Sequence, residues 1–369
     1  MSKKFWYKVA RTIVKAGAFP FPITDTLIEF LQTVITEEQA KFILIFKKSS
    51  LNIDQIKART DLDDDELDKM LNELMHNGIV ISAPSRSTGI MVYRLMGPYP
   101  GIFEYSLMRG KTDDRYKKLA QLAERLFDEL GAKSQQNYES ISKLYKQVPA
   151  VDRTVPVEKE VEVGTEVVMP YEEIEKYLDE YGKEENNIAV AHCYCRHERD
   201  LLNNPCKLGA PKVNCFLFDK SAKYAIERGF ASPISKEDAM KIFREAEDYG
   251  LVHKVFHVHS DPEKGIEAMC NCCKCCCGIF QMYTRGVTPF HTISSYISRV
   301  SEDDCVGCGT CVEKCPLEAV ELEDSIAVVN KDLCIGCGVC AHHCSEEAIH
   351  LERIGPRDVY IPLKKITIN

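Results

Sequence analysis

The residues of this chain that could do chemistry are its 18 cysteines, and eight of them recur at a fixed spacing near the end of the sequence. Cys305, Cys308, Cys311 and Cys315 are matched, one for one, by Cys334, Cys337, Cys340 and Cys344, and each half reads C-x2-C-x2-C-x3-C. Neighbouring residues repeat as well: Gly307 with Gly336, Gly309 with Gly338, Ala319 with Ala348 and Leu322 with Leu351. The segment is therefore an internal duplication. A thiolate at every third position, in a loop freed by glycine, can wrap three corners of a four-iron, four-sulfide cubane and bring backbone N–H groups near its sulfides. The fourth thiolate has to come from elsewhere. Zinc also accepts four thiolates, but two duplicated runs of four cysteines are not the usual spacing of a zinc knuckle. Pro316 follows the first run, whereas the second is followed by Ser345 and carries His342 and His343 in its spacer. A protonated histidine beside a cluster would favour the reduced state.

Ten further cysteines lie upstream of this repeat. Cys193 and Cys195 sit in HCYCRHERD, Cys206 and Cys215 follow, and CNCCKCCCG contains Cys270, Cys272, Cys273, Cys275, Cys276 and Cys277. Two or three of them could be ordinary small core residues, but six within eight positions are too many for packing alone. Thiolates gathered this closely would repel and oxidise unless cations neutralised them. Soft ligands of this kind suit iron-sulfur clusters and zinc alike. We expect at least one additional iron-sulfur cluster here, because zinc does no redox chemistry, and we keep zinc or a metal-free redox thiol group as alternatives. If the run were helical, residues 273, 276 and 277, or 272, 275 and 276, would share a face. IAVAHCYC reads as a strand ending at its cysteines. His192, His197, His253, His257 and His259 are alternative ligands.

The elements that must position these residues follow a simple order. Glu38 to Phe46, Ile53 to Arg59 and Asp64 to His76 have helical apolar periodicity, and Gly78 stands where a helix C-terminus favours a left-handed residue. Ile79 to Ser82 and Ile90 to Leu95 read as a hairpin around PSRSTG. Tyr116 to Leu130 is an amphipathic helix, and VPVEKEVEVGTEVVMPYEEIEKYLDEYG reads as one or two strands and a short helix. At the N-terminus Lys3, Lys4, Lys8, Arg11 and Lys15 alternate with Phe5, Trp6, Val9, Ile13 and Val14 as a basic amphipathic helix, which could pack on its own domain or lie on an anionic membrane surface.

LNIDQIKARTDLDDDELDKMLNELMHNGIV resembles the winged helix-turn-helix family. That resemblance implies a third helix able to enter a DNA groove, yet Asp61, Asp63, Asp64, Asp65, Glu66, Asp68 and Glu73 surround a single Lys69. Phosphate would be repelled, and Arg86 and Arg94 in the wing are too few to reverse the sign. Docking on protein is the expected use. The duplicated cysteine runs resemble bacterial-type two-cluster ferredoxins. The resemblance implies cross-ligation, with Cys305, Cys308, Cys311 and Cys344 on one [4Fe-4S] cluster and Cys334, Cys337, Cys340 and Cys315 on the second. The whole chain is similar to multi-domain 4Fe-4S binding proteins of anaerobic bacteria.

The fold class expected is α+β and multi-domain, with a winged-helix region at 1–110, a helical linker at 111–186, a cysteine-rich α/β domain at 187–298 and a two-cluster ferredoxin domain at 299–369. The net charge of -9 argues against a general affinity for nucleic acid. Charge is uneven, with 13 acidic and 4 basic side chains over 301–358 but 12 acidic and 15 basic over 188–300. The first cysteine is Cys193, and the sequence shows no export signal or apolar span, so we expect a cytoplasmic protein with reduced thiols. No GxGxxG loop or Walker A motif is present. The function expected is single-electron transfer between redox partner proteins. Alternatives are an oxidoreductase using a middle-domain cluster or thiol, or a redox-sensing DNA-binding regulator.

Overall fold

A computed structural model describes residues 1–17, 21–85, 87–157, 173–257 and 265–366. Arg86, His259 and most of the segment before Glu173 lie outside the described residues. The chain divides into two units, one of Met1–Leu130 with His197–Asn204 and Tyr224–Ser232, the other of Gly131–Arg196, Pro205–Lys223 and Pro233–Asn369.

The first unit opens with helices α1 (Lys3–Ala16), α2 (Asp25–Val34) and α3 (Glu37–Ile43). Strand β1 (Ser50–Asn52), helices α4 (Ile53–Lys57) and α5 (Asp64–His76), and strands β2 (Val80–Pro84) and β3 (Met91–Leu95) follow. The three strands form an antiparallel sheet in the order β1-β3-β2. Three helix starts are written into the sequence as reciprocal caps: Thr36 with Gln39, Asn52 with Gln55 and Asp63 with Glu66. The apolar side of α1 (Trp6, Val9, Ala10 and Ile13) is buried, and its lysines and Arg11 are exposed. On α5, Leu67, Met70, Leu71, Leu74 and Met75 are buried, while Asp64, Asp65, Glu66, Asp68 and Glu73 face solvent. Helix α6 (Ile102–Leu107) follows, then the long α7 (Asp114–Gln136), whose last turns belong to the second unit.

The second unit is built on one mixed sheet. After α8 (Tyr138–Tyr145) come β4 (Asp152–Val155), α9 (Ile174–Tyr181), β5 (Ile188–His192) and α10 (Tyr194–Leu201), of which the residues from His197 on belong to the first unit. Next are β6 (Val213–Phe218), α11 (Asp219–Glu227), β7 (Ser232–Pro233), α12 (Lys236–Asp248), β8 (Val252–His257), β9 (Ile266–Cys272), α13 (Gly278–Thr284) and β10 (Phe290–Val300), with Tyr224–Ser232 counted in the first unit. Helix α14 (Thr310–Lys314), the hairpin β11 (Val320–Glu323) and β12 (Ile326–Val329), helix α15 (Val339–His342) and β13 (Ile349–Ile361) complete it. The strand order is β13-β10-β4-β8-β9-β6-β5-β7. The duplicated cysteine loops are thus inserted between β10 and β13, two strands of the sheet that also carries the other thiols.

Alternation along the central strands sends unlike side chains to the two faces. Phe216, Phe218, Val255 and Met269 join Ile174, Leu178, Ala239 and Phe243 in an apolar core. Cys215, Cys270 and Cys272 have the opposite parity on β6 and β9, so the sheet gathers them on its other face.

At the centre of the sheet Lys254 and Asp152 form a buried ion pair at 2.5 Å. The Lys254 ammonium also donates to the hydroxyls of Thr154 at 3.1 Å and Thr292 at 2.8 Å.

Candidate metal centres

Each glycine of the repeated loops has a steric task. Gly307 and Gly336 adopt φ of 67° and 60°, and a Cβ on either would meet a backbone carbonyl oxygen, that of Ser325 at 2.2 Å or Tyr296 at 2.1 Å. Gly309 and Gly338, left-handed at φ 78° and 77°, precede α14 and α15. These turns bring Cys305, Cys308 and Cys311 to one open cavity, and Cys344 of the other repeat lines the same cavity. Cys315 in turn lies with the second loop, close enough for its charge to act on Cys337 and Cys340. Burial raises Cys337 and pushes Cys340 up to about 12, although Ser298 hydroxyl contact at 3.1 Å opposes the latter. Backbone N–H groups of Ala319 and Ala327 donate to Cys315 Sγ at 3.2 Å and Cys305 Sγ at 3.4 Å. Such donors suit thiolates whose charge is shared with a cation. Cys308 alone of the eight is exposed.

Residues 297–345 match the 4Fe-4S dicluster domain family. No curated protein and no solved structure matched the chain. The dicluster match covers all eight repeated cysteines, and together with the gathered thiols it supports an iron-sulfur protein. Two sets of four thiols, each drawn three from one loop and one from the other, fit the donor requirement of two cubanes.

The other ten thiols separate into two groups. Cys206, Cys273, Cys275 and Cys276 have sulfurs that all lie within 4.8 Å of one another. Cys206 comes from the loop after α10, and the other three from the tight turn between β9 and α13, where the Cys277 N–H donates to the Cys273 carbonyl at 3.0 Å. The remaining six form a ring of neighbouring thiols. Cys193, Cys195 and Cys215 pack together with Cys270 against them, Cys272 and Cys277 pack together with Cys270 against them as well, and Cys270 Sγ lies 3.6 Å from Cys215 Sγ. Strands β6 and β9 supply three of these, the β5–α10 corner supplies Cys193 and Cys195, and Cys277 is the N-cap of α13. The Gly278 N–H donates to Cys195 Sγ at 3.1 Å.

Like charges at contact cannot all ionise together, so each group splits. Contacts from Cys195 and Cys215 draw Cys193 well below the usual thiol range, and those from Cys195 and Cys272 do the same for Cys277. Their ring neighbours Cys195, Cys215, Cys270 and Cys272 are pushed up. In the compact group Cys206 is lowered by Cys273, Cys275 and Cys276, while Cys273 and Cys276 are raised. A bound cation would lift this frustration.

The helical reading of residues 270–277 does not hold. Cys270 and Cys272 pair in the sheet with Lys254 and Val252, and residues 274–276 turn before α13 begins at Gly278. Sheet pairing outweighed local periodicity and divided the run between two sites. Two of the candidate histidines are engaged elsewhere: His253 Nδ1 meets Asn271 Oδ1 at 2.7 Å and its Nε2 meets Glu247 at 3.4 Å, and His197 Nε2 contacts the Lys111 carbonyl at 2.8 Å. His342 contacts Asp248 at 3.2 Å, and burial lowers His343. One functional side chain escaped the sequence reading. Arg196, only 1% exposed, reaches Cys273 Sγ at 3.7 Å and the Asn271 carbonyl at 3.1 Å, placing a buried positive charge beside the compact thiol group. Its signal was an arginine directly after CYC.

Proposed function

We propose that the chain is an iron-sulfur relay carrying single electrons between partner redox proteins, with two [4Fe-4S] clusters in the dicluster domain and an additional iron-sulfur cluster at the six-thiol ring. The carrying observation is continuity of dry packing between the thiol sets. Cys311, Cys315, Cys334 and Cys340 share one apolar cluster, with Cys305 and Cys344 packed against it. Cys337 shares a second with Cys272 and Cys277 of the ring, filled by Phe280, Phe290, Ile335 and Val339. Clusters bound to these thiolates supply one-electron oxidation and reduction. The protein's part is to hold the sulfurs, donate N–H groups to them and exclude water between them.

Cys308 marks the solvent end of this series. Glu302, Asp303, Asp304 and Glu346 are exposed near it, so a partner presenting a basic patch is the fitting donor or acceptor. Cys305, Cys308, Cys311 and Cys344 are the ligands we assign to this outer cluster, and Cys334, Cys337, Cys340 and Cys315 those of the inner one. The first unit is read as a winged-helix module. Its helix α5 turns an acidic face to solvent, which favours protein over DNA as its contact. A cytoplasm of low potential, as in anaerobic bacteria, is the setting that this thiol content suits.

Iron and acid-labile sulfide counted in anaerobically purified full-length chain test this reading. We expect more than about eight of each per chain, about eight being the content of the two cubanes alone. Bound metal without sulfide would overturn it.

A further inference from the structure

The compact group and the dicluster sets differ in a way that bears on what each can hold. A cubane interposes four irons and four sulfides between its thiolates, so the ligand sulfurs stand around a cavity and do not touch. Cys305, Cys308, Cys311 and Cys344 line one cavity. Cys206, Cys273, Cys275 and Cys276 instead have their sulfurs close together. Cys206 Sγ lies 3.8 Å from Cys273 Sγ and 3.7 Å from Cys275 Sγ, and Cys275 Sγ lies 3.6 Å from Cys276 Sγ. A metal–sulfur distance of about 2.3 Å in a regular tetrahedron gives sulfur–sulfur edges of about 3.8 Å. These three edges match that tetrahedron, all six lie within 4.8 Å, and a cubane has no room inside it.

From this geometry we infer that Cys206, Cys273, Cys275 and Cys276 bind one tetrahedral divalent ion, zinc or a lone iron, and no cluster. The surroundings agree with a fixed, closed site. Cys273 and Cys276 are buried in an apolar cluster with Ala210, Ala246 and Leu251. Four thiolates around a divalent ion leave a net charge of about minus two, which the Arg196 guanidinium, 3.7 Å from Cys273 Sγ, partly offsets. Four protein ligands fill the coordination sphere, so the ion is structural and leaves no open position for a substrate. It ties the loop after α10 to the turn before α13. The side chain of Lys274, within that turn, donates to the backbone carbonyl of Glu313 in the dicluster domain. The ion therefore fixes the turn that joins the ring and the dicluster loops, and this assignment stands apart from the electron-relay reading.

The test compares full-length wild type with the Cys206→Ser/Cys275→Ser double variant, both purified anaerobically, by elemental analysis and acid-labile sulfide. These two cysteines are the less buried members of the group. The expected result is loss of one metal ion per chain with sulfide unchanged. Zinc lost identifies zinc, and one iron lost identifies a lone iron. Loss of iron and sulfide together, or of no metal, overturns the inference. Should the variant fail to fold, X-ray absorption of the wild type decides. Four sulfurs at about 2.3 Å around zinc, or one iron per chain in excess of sulfide, supports the single ion. Absence of zinc with iron and sulfide in equal number overturns it.

Discussion

Gly336 shows how little freedom a single residue has at these sites. Its left-handed backbone and the Tyr296 carbonyl, 2.1 Å from where a Cβ would stand, exclude any side chain. Gly336→Ala should therefore cost more than about 1 kcal/mol and loosen the inner loop, read as a lower thermal midpoint together with loss of iron from the full-length chain. Ligand assignment can be tested at the same scale. If Cys315 serves the loop of the other repeat, Cys315→Ser with Cys337→Ser should remove about four irons, whereas Cys315→Ser with Cys305→Ser should remove about eight. The reverse order in iron analysis would mean that each repeat holds its own cluster. These eight cysteines were legible in the sequence because spacing and duplication carry the information. Cys344 lines one cavity with three cysteines of the other repeat, and the cross-ligated pattern expected from the family resemblance is what these variants test.

Elements decided what spacing could not. Helix α5 has the bounds Asp64–His76 expected from periodicity, since a capping box and a glycine mark its ends within the sequence itself. Residues 270–277 carry no such marks. Their path depends on pairing of β9 with β6 and β8, contacts of long sequence separation that periodicity does not report. The buried Lys254–Asp152 pair was equally silent, because its partners lie on β8 and β4. Lys254→Met would leave Asp152 charged and alone in the sheet, at a cost of about 3–5 kcal/mol. Thermal unfolding should show a clear fall in midpoint for the single variant, and Asp152→Asn combined with Lys254→Met should recover part of it. A single variant as stable as wild type would show that the pair does not stabilise the sheet.

For the whole molecule, charge is the property that sets partners. The exposed acids of α5 and the acidic surround of Cys308 give the chain two negative faces. Mobility-shift assays at low salt should show no complex with duplex DNA, and a complex that disappears on oxidation would revive the regulator reading. Reduction by a basic redox protein should slow, by about tenfold or more, as salt screens the dicluster face. A rate independent of salt would place the docking surface elsewhere. No helix among the described residues is long and apolar enough to cross a membrane.

Redox-active clusters are the central claim, and an anaerobic reductive titration of the full-length chain followed by electron paramagnetic resonance reads them directly. Stepwise uptake of at least about two electrons per chain is expected, one for each dicluster cubane, with paramagnetic signals appearing on reduction and disappearing on reoxidation. A chain that takes up no electrons beyond those of its thiols, and stays diamagnetic throughout, would contradict that claim.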